Sequence, residues 1–320
     1  MKICIVKTSS MGDVIHTLPA LTDAQQAIPD LRVDWVVEES FAEIPQWHSA
    51  VHRVIPIALR RWRKSPFSSQ TKNEWKNYRT LLQQAQYDAV IDAQGLFKSA
   101  FFATRLAKGI KHGYDRHSIR EPIASFFYDK KYAIAYRLHA VERIRRLFAQ
   151  SLGYPLPQMQ GDYGIATRFS LEKSAKPYVV FIHSTTREDK HWAVLEWQKL
   201  IEKLTALSIE IRLPWGNEKE KARAERLAEG KENVVVLPRL SLTELARQIG
   251  GAKAVVSVDT GLAHLTAALD KPNITLYGAT DPNLIGCYGK NQHYLVANSM
   301  DKISAEQVFE QFYPFILEHN

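Results

Sequence analysis

Apolar runs alternate with amphipathic stretches along most of the chain. Residues 3–7 read as a buried strand, followed by a Ser-Ser-Met-Gly turn and a helix over 13–27. Strands over 33–37 and 89–91 come next, the latter followed by a helix over 98–108, and a long helix covers 139–152. Gly153-Tyr154-Pro155-Leu156-Pro157 then breaks the pattern. Beyond it the alternation is cleaner, with strands at 178–183, 209–213, 234–237, 254–258 and 274–277. Helical periodicity fills 193–207, 217–229, 241–250 and 260–269 between them. Strand and helix in turn, with short links and continuous apolar strands, predict parallel sheets covered on both faces. The pattern predicts an α/β chain of two Rossmann-like doubly wound domains, 1–160 and 161–320, with a cleft between them. The boundary is expected within 153–175. A tail helix over 303–318 carries Phe309, Phe312 and Phe315 and needs an apolar surface, for which the first domain is a candidate.

Length agrees, since 320 residues suit two domains of roughly 150 each. Hydrophobic residues at 45% and charged residues at 24% exclude a disordered or collagen-like chain. No run of 18 apolar residues could span a bilayer. Met1-Lys2 leads straight into the first strand, with no signal-peptide core. Two cysteines, Cys4 and Cys287, cannot build a disulfide framework, so a reducing cytoplasm is expected.

Charge changes the picture once it is divided. Residues 1–160 hold 23 basic and 14 acidic side chains, whereas 161–320 hold 19 and 20. The excess concentrates in 53–146 and implies an acidic partner there: nucleic acid, anionic lipid or a phosphorylated acceptor.

In doubly wound sheets ligands sit at the carboxyl ends of strands, so the residues following each strand are the places to look. Lys7-Thr8-Ser9-Ser10-Met11-Gly12-Asp13 follows the first strand. Gly12 permits close approach, and Asp13 fits two compatible roles, a capping-box carboxylate and an ionised base at a helix N-terminus. His183-Ser184-Thr185-Thr186-Arg187-Glu188-Asp189-Lys190-His191 follows the first strand of the second domain. Its hydroxyls, amides and Lys190 could cradle a diphosphate, or Thr185 and Glu188 could cap a helix beside a solvated charge run. Val258-Asp259-Thr260-Gly261-Leu262-Ala263-His264 offers a further anion site, with Asp259 as a simple N-cap the alternative. A single Asp-Thr-Gly cannot form an aspartic-protease dyad. Glu218 and Glu220 stand after the strand 209–213, where an acid could hold ribose hydroxyls or favour a helix start. Arg60-Arg61-Trp62-Arg63-Lys64 is either an anion-binding, membrane-facing cluster or a solubilising charge run, and Arg120, Arg143, Arg145 and Arg146 add to its field.

Absences narrow the chemistry. There is no G-x-G-x-x-G, no Walker A loop, no G-x-S-x-G and no H-E-x-x-H. D-x-D is also missing, so no metal is expected, and a bound diphosphate must be neutralised by Lys, hydroxyls and helix termini. No nucleic-acid-binding motif is present.

The segment 7–21, Lys-Thr-Ser-Ser-Met-Gly-Asp-Val-Ile-His-Thr-Leu-Pro-Ala-Leu, resembles the ADP-heptose:lipopolysaccharide heptosyltransferases. So do Asp92-Ala-Gln-Gly-Leu-Phe-Lys-Ser, Thr185-Thr-Arg-Glu-Asp-Lys-His-Trp and Val258-Asp-Thr-Gly-Leu-Ala-His-Leu-Thr-Ala-Ala-Leu, and the likeness covers about residues 1–300. The 60–64 block and Gly161-Asp162-Tyr163 resemble the family's type I branch; a type II enzyme with an already heptosylated acceptor is the alternative. The resemblance implies a GT-B fold and inverting transfer of L-glycero-D-manno-heptose from ADP-heptose to the inner Kdo of Kdo-lipid A. It implies no cofactor beyond that donor, and a peripheral place on the cytoplasmic face of the inner membrane. By the same resemblance Asp13 is the base and Lys190 neutralises the departing diphosphate. Thr185, Thr186, Thr260, Gly261 and His264 line the donor pocket, Asp259 binds heptose, Glu220 the ribose, and Leu240 offers its backbone to adenine. Ser10, Gly12, Arg60, Arg61, Lys64 and Arg120 contact the acceptor.

Overall fold

The computed structural model describes residues 1–169, 176–278 and 280–317, so residues 170–175 of the expected boundary segment, and the last residue of the expected tail helix, lie outside it. The chain forms two compact units, Met1–Gly164 and Ile165–Asn320. Each is built on a six-stranded parallel sheet.

The first sheet comprises β1 (Lys2–Val6), β2 (Arg32–Glu38), β3 (Val51–Ile57), β4 (Gln86–Asp92), β5 (Lys108–Tyr114) and β6 (Lys130–Tyr132), in the order β3-β2-β1-β4-β5-β6. The second comprises β7 (Tyr178–Ile182), β8 (Glu210–Leu213), β9 (Val234–Val236), β10 (Val255–Val258), β11 (Asn273–Tyr277) and β12 (Gln292–Val296), in the order β12-β11-β10-β7-β8-β9. Read from its own first strand, the second sheet repeats the 3-2-1-4-5-6 order of the first. That order defines one switch point per unit, between β1 and β4 and between β7 and β10. The two central strands at each point are buried along nearly their whole length, as sheets covered on both faces require.

Local chemistry explains where the elements depart from expectation. The helix expected over 13–27 is two helices, Met11–Ile15 and Leu18–Ala27. Pro19 sits in the first turn of the second, where its missing N–H is not needed. The helix expected over 98–108 ends at Phe102, and Lys108 already opens β5. His139 caps the helix Ala140–Leu152, with its Nδ1 accepting from the Val141 amide at 3.2 Å, and Gly153 closes it in the left-handed region at φ 77°. That helix carries the buried Arg145, whose Nε donates to Asp23 of the helix Leu18–Ala27 at 2.7 Å.

The tail helix finds an apolar surface within its own unit. The helix Ala305–Leu317 buries Val308, Phe312 and Ile316 in the core of the second unit, with Phe181, Trp192 and Trp197. Trp192 Nε1 donates to the Ile303 carbonyl at 2.7 Å and anchors the helix entry.

Candidate functional site

In the first unit the loops after β1 and β4 are sewn together at the switch point. Gln94 Oε1 accepts from the amides of Thr8 and Ser9 at 2.9 and 3.0 Å. Behind it lies the fully buried Asp92, which accepts from the amides of Gln94 and Gly95 and from the Thr104 hydroxyl at 2.7 Å. Burial raises the Asp92 carboxyl pKa, and the amide and hydroxyl donors oppose that rise. Gly95 turns at φ +67°, where a side chain would be strained and its Cβ would lie 3.0 Å from Ile119.

This platform presents Asp13. The Ser10 amide and hydroxyl both donate to Asp13 Oδ2 at 2.8 Å, so the capping role is present. The same carboxylate remains 44% exposed on its side chain, with Oδ1 3.8 Å from Lys7 Nζ. A carboxylate oriented by a cap, near a cation and open to solvent, can also accept a proton. Lys7 is buried and donates to the Ala93 carbonyl at 2.9 Å, and that burial lowers its pKa. Lys7, Asp92 and Gln94 were not among the site residues read from the sequence. A buried strand ending in polar residues at a switch point is the signal that could have found them.

In the second unit the loops after β7 and β10 meet in the same way. Lys190 Nζ lies 2.5 Å from Asp259 Oδ2, both side chains largely buried. Thr185 Oγ1 donates to the Asp259 carbonyl at 3.3 Å, and His191 Nε2 donates to the Thr185 carbonyl at 2.7 Å. Asp259 therefore holds Lys190 and is not the cap. Thr260 is the N-cap of the helix Gly261–Ala268, and its hydroxyl makes no capping hydrogen bond. The helix's first amides are accordingly available to an anion. His264 lies buried on that helix, and Thr186 is exposed in the loop after β7. Beneath the loop His183 is fully buried, and burial lowers its pKa to about 3, so it stays neutral. Arg223 reaches up from the helix Glu218–Ala228 to the carbonyls of His183 and Trp192.

Asn217 caps the helix Glu218–Ala228, and Glu220 in its first turn braces the residues that lead into it. Oε2 accepts from the Gly216 amide at 2.7 Å and Oε1 from Asn217 Nδ2 at 2.8 Å. A carboxylate has about four acceptor positions, so one on each oxygen stays open to a hydroxyl. Leu240 sits half-buried in the loop after β9, which Trp215 ties to the loop after β8 by donating to Leu237 at 2.6 Å.

The basic cluster of the first unit divides. Arg61 bridges Glu39 and Glu74 at 2.9 and 2.8 Å, so its charge is already compensated. Among the described residues Arg60, Lys64 and Arg120 have no carboxylate within 4 Å, and Arg60 lies 5.3 Å over the Phe41 ring. Ser10 and Gly12 lie beside Asp13, at the helix start.

Residues 75–312 match the family model for glycosyltransferase family 9 (heptosyltransferase). The chain is 63% identical to lipopolysaccharide heptosyltransferase 1 of Escherichia coli strain K12 over 294 residues, 91% of this chain and 92% of that protein. It is 52% identical to the Pseudomonas aeruginosa protein of the same name, over 92% of this chain and 83% of that one. The solved structure of E. coli heptosyltransferase WaaC with ADP superposes with a TM-score of 0.96 at 59% identity, over 98% of this chain and all of that one. The structure of E. coli ADP-heptose lps heptosyltransferase II, at 21% identity and a TM-score of 0.78, shares the fold. The matched family model and these identities place the chain in glycosyltransferase family 9, the heptosyltransferases.

Proposed function

We propose that this chain moves L-glycero-D-manno-heptose from ADP-heptose to the inner Kdo of Kdo-lipid A, with inversion and without a metal. One observation carries the acceptor choice. Identity to heptosyltransferases 1 of E. coli and Salmonella typhimurium is 61–63%, whereas lipooligosaccharide heptosyltransferase 2 of Haemophilus ducreyi is only 26% identical. The donor reading draws on the related WaaC, solved with ADP and with ADP-2-deoxy-2-fluoro heptose.

Single-step inversion needs a base on the acceptor and charge stabilisation on the leaving group. Asp13 takes the proton of the attacking Kdo hydroxyl. Its tie to Ser10 fixes one oxygen and leaves the other toward Lys7. Lys190 neutralises the departing diphosphate. An ammonium has three donors, so Asp259 can orient it through one while two reach phosphate oxygens. The amides at Gly261 and the hydroxyls of Thr185, Thr186 and Thr260 supplement it, with His264 beside them. Asp259 also accepts from heptose hydroxyls, Glu220 from the ribose, and the Leu240 backbone meets adenine. Arg60, Lys64 and Arg120 pair with the acceptor's phosphates and carboxylates, and Arg61 holds their segment in place. Ser10 and Gly12 border the reacting hydroxyl.

No helix among the described residues is long and apolar enough to cross a membrane. The basic first unit suits peripheral contact with the anionic cytoplasmic face of the inner membrane. The test supplies ADP-heptose with either Kdo-lipid A or a singly heptosylated acceptor. Product from Kdo-lipid A alone supports the reading; product only from the heptosylated acceptor moves the chain to the type II reaction.

A further inference from the structure

A cavity of about 590 Å³ opens in the first unit, bordered by the helices Leu59–Trp62, Ser69–Gln83 and Phe97–Phe102. That volume is ordinary for a small-molecule site. Its apolar lining is Leu59, Trp62, Trp75 and Phe102. The rings brace one another, Trp62 on Trp75 and Trp75 on Phe102, each pair edge-on with centroids 5.8 Å apart. Glu74 accepts from Trp62 Nε1 at 2.6 Å and fixes the indole from behind.

Four cations share the lining: Arg60, Arg63, Lys72 and Lys98. Among the described residues none of them has a carboxylate within 4 Å, unlike the neighbouring Arg61. The one acid in the lining, Glu38, is buried, accepts the Arg60 amide at 2.9 Å, and has its pKa raised by that burial. A solubilising charge run needs no braced aromatic pocket, and a free phosphate needs no apolar floor. Cations without a direct ion pair, set around apolar rings, complement an alkyl chain with an anionic head.

We propose that this cavity seats an acyl chain of the lipid acceptor, with the four cations meeting the anionic groups at its head. The proposal rests on the acceptor reading above and adds a subsite for the lipid, separate from the sugar.

The test is calorimetric titration of the full chain with butyl, hexyl and octyl phosphate below their aggregation concentrations, and with inorganic phosphate. Burying each methylene should tighten binding about fourfold, so each two-carbon step should gain roughly 15-fold. The heat-capacity change should become more negative with chain length. Leu59→Trp, which sets an indole into the apolar lining and narrows the cavity, should flatten the chain-length dependence. Lys72→Glu, at an exposed helix position outside the core, should weaken all alkyl phosphates while keeping that dependence. Inorganic phosphate binding as tightly as octyl phosphate would overturn the proposal, as would a chain-length dependence undiminished in Leu59→Trp. Should Leu59→Trp not fold, alkyl phosphate binding left unchanged by Lys72→Glu alone decides against the site. Transfer to Kdo-lipid A with no chain-length effect discards the subsite and keeps the function. Octyl phosphate binding without transfer keeps the subsite and discards the function.

Discussion

Lys190 and Asp259 form the interaction on which the donor side of the account depends, and a double-mutant cycle weighs it. The side chains are 16% and 9% exposed and their charged atoms 2.5 Å apart. Removing one partner of such a pair leaves an uncompensated charge in a poorly solvated place, at a cost of about 3–5 kcal/mol. In a unit of this size each kcal/mol lowers the melting temperature by about 2–4 °C. Lys190→Met and Asp259→Asn should therefore each melt roughly 6–20 °C below the wild type by scanning calorimetry. The double variant leaves neither charge unpaired, so it should recover much of that loss, with a coupling of at least about 1.5 kcal/mol. Catalysis should behave differently. Both single variants and the double should turn over ADP-heptose poorly, because the double restores packing and not the cation beside the diphosphate. Additive melting shifts would refute the pairing. A stable double variant with wild-type donor kinetics would remove Lys190 from the diphosphate site.

Other consequences are as direct. Charge reversal at Arg60 should raise the KM for the lipid acceptor about 10- to 100-fold, the worth of a charged hydrogen bond, and leave ADP affinity unchanged by calorimetry. His48 is 2% exposed, its Nδ1 accepts the Ala50 amide at 3.2 Å, and its Nε2 meets the Thr22 hydroxyl at 3.0 Å. Burial lowers its pKa from the ordinary 6.5 to about 4, so the unfolded chain takes up that proton first. Stability should be full above about pH 6.5 and fall by up to about 3 kcal/mol as pH drops through 4, on 1.4 kcal/mol per pKa unit. Denaturant titration between those pH values checks it, and His48→Gln should flatten the slope; an unchanged slope would reject the assignment.

What could be read from the chain follows from burial. Apolar runs make β1, β2, β4 and β7 to β11 legible, together with the helices that alternate with them, whereas interior β5, which reads Lys-Gly-Ile-Lys-His-Gly-Tyr, and the short edge strand β6 are not. Edge strands β3 and β12 are not: both mix polar and apolar positions and are partly exposed, and β3 contains Pro56, which an edge tolerates. The long helix Ser69–Gln83 buries only Tyr78 and Leu82, so its apolar stripe is too thin to stand out. The candidate site was legible as strand-end motifs, because topology puts chemistry there. Its pairings were not. Nothing in the spacing says that Asp259 holds Lys190 across 69 residues, or that Arg61 is claimed by Glu39 and Glu74 while Arg60 is left free of both. Those contacts depend on which loops the sheet order brings together.

The central claim is that Asp13 deprotonates the acceptor during heptosyl transfer. The most direct measurement is product formation from ADP-heptose and Kdo-lipid A in EDTA, by wild type and Asp13→Asn, with the melting temperature and ADP affinity of both. The account predicts metal-independent product from the wild type and a turnover about 10²- to 10⁴-fold lower in a variant that still folds and binds ADP. Undiminished turnover in Asp13→Asn would contradict it.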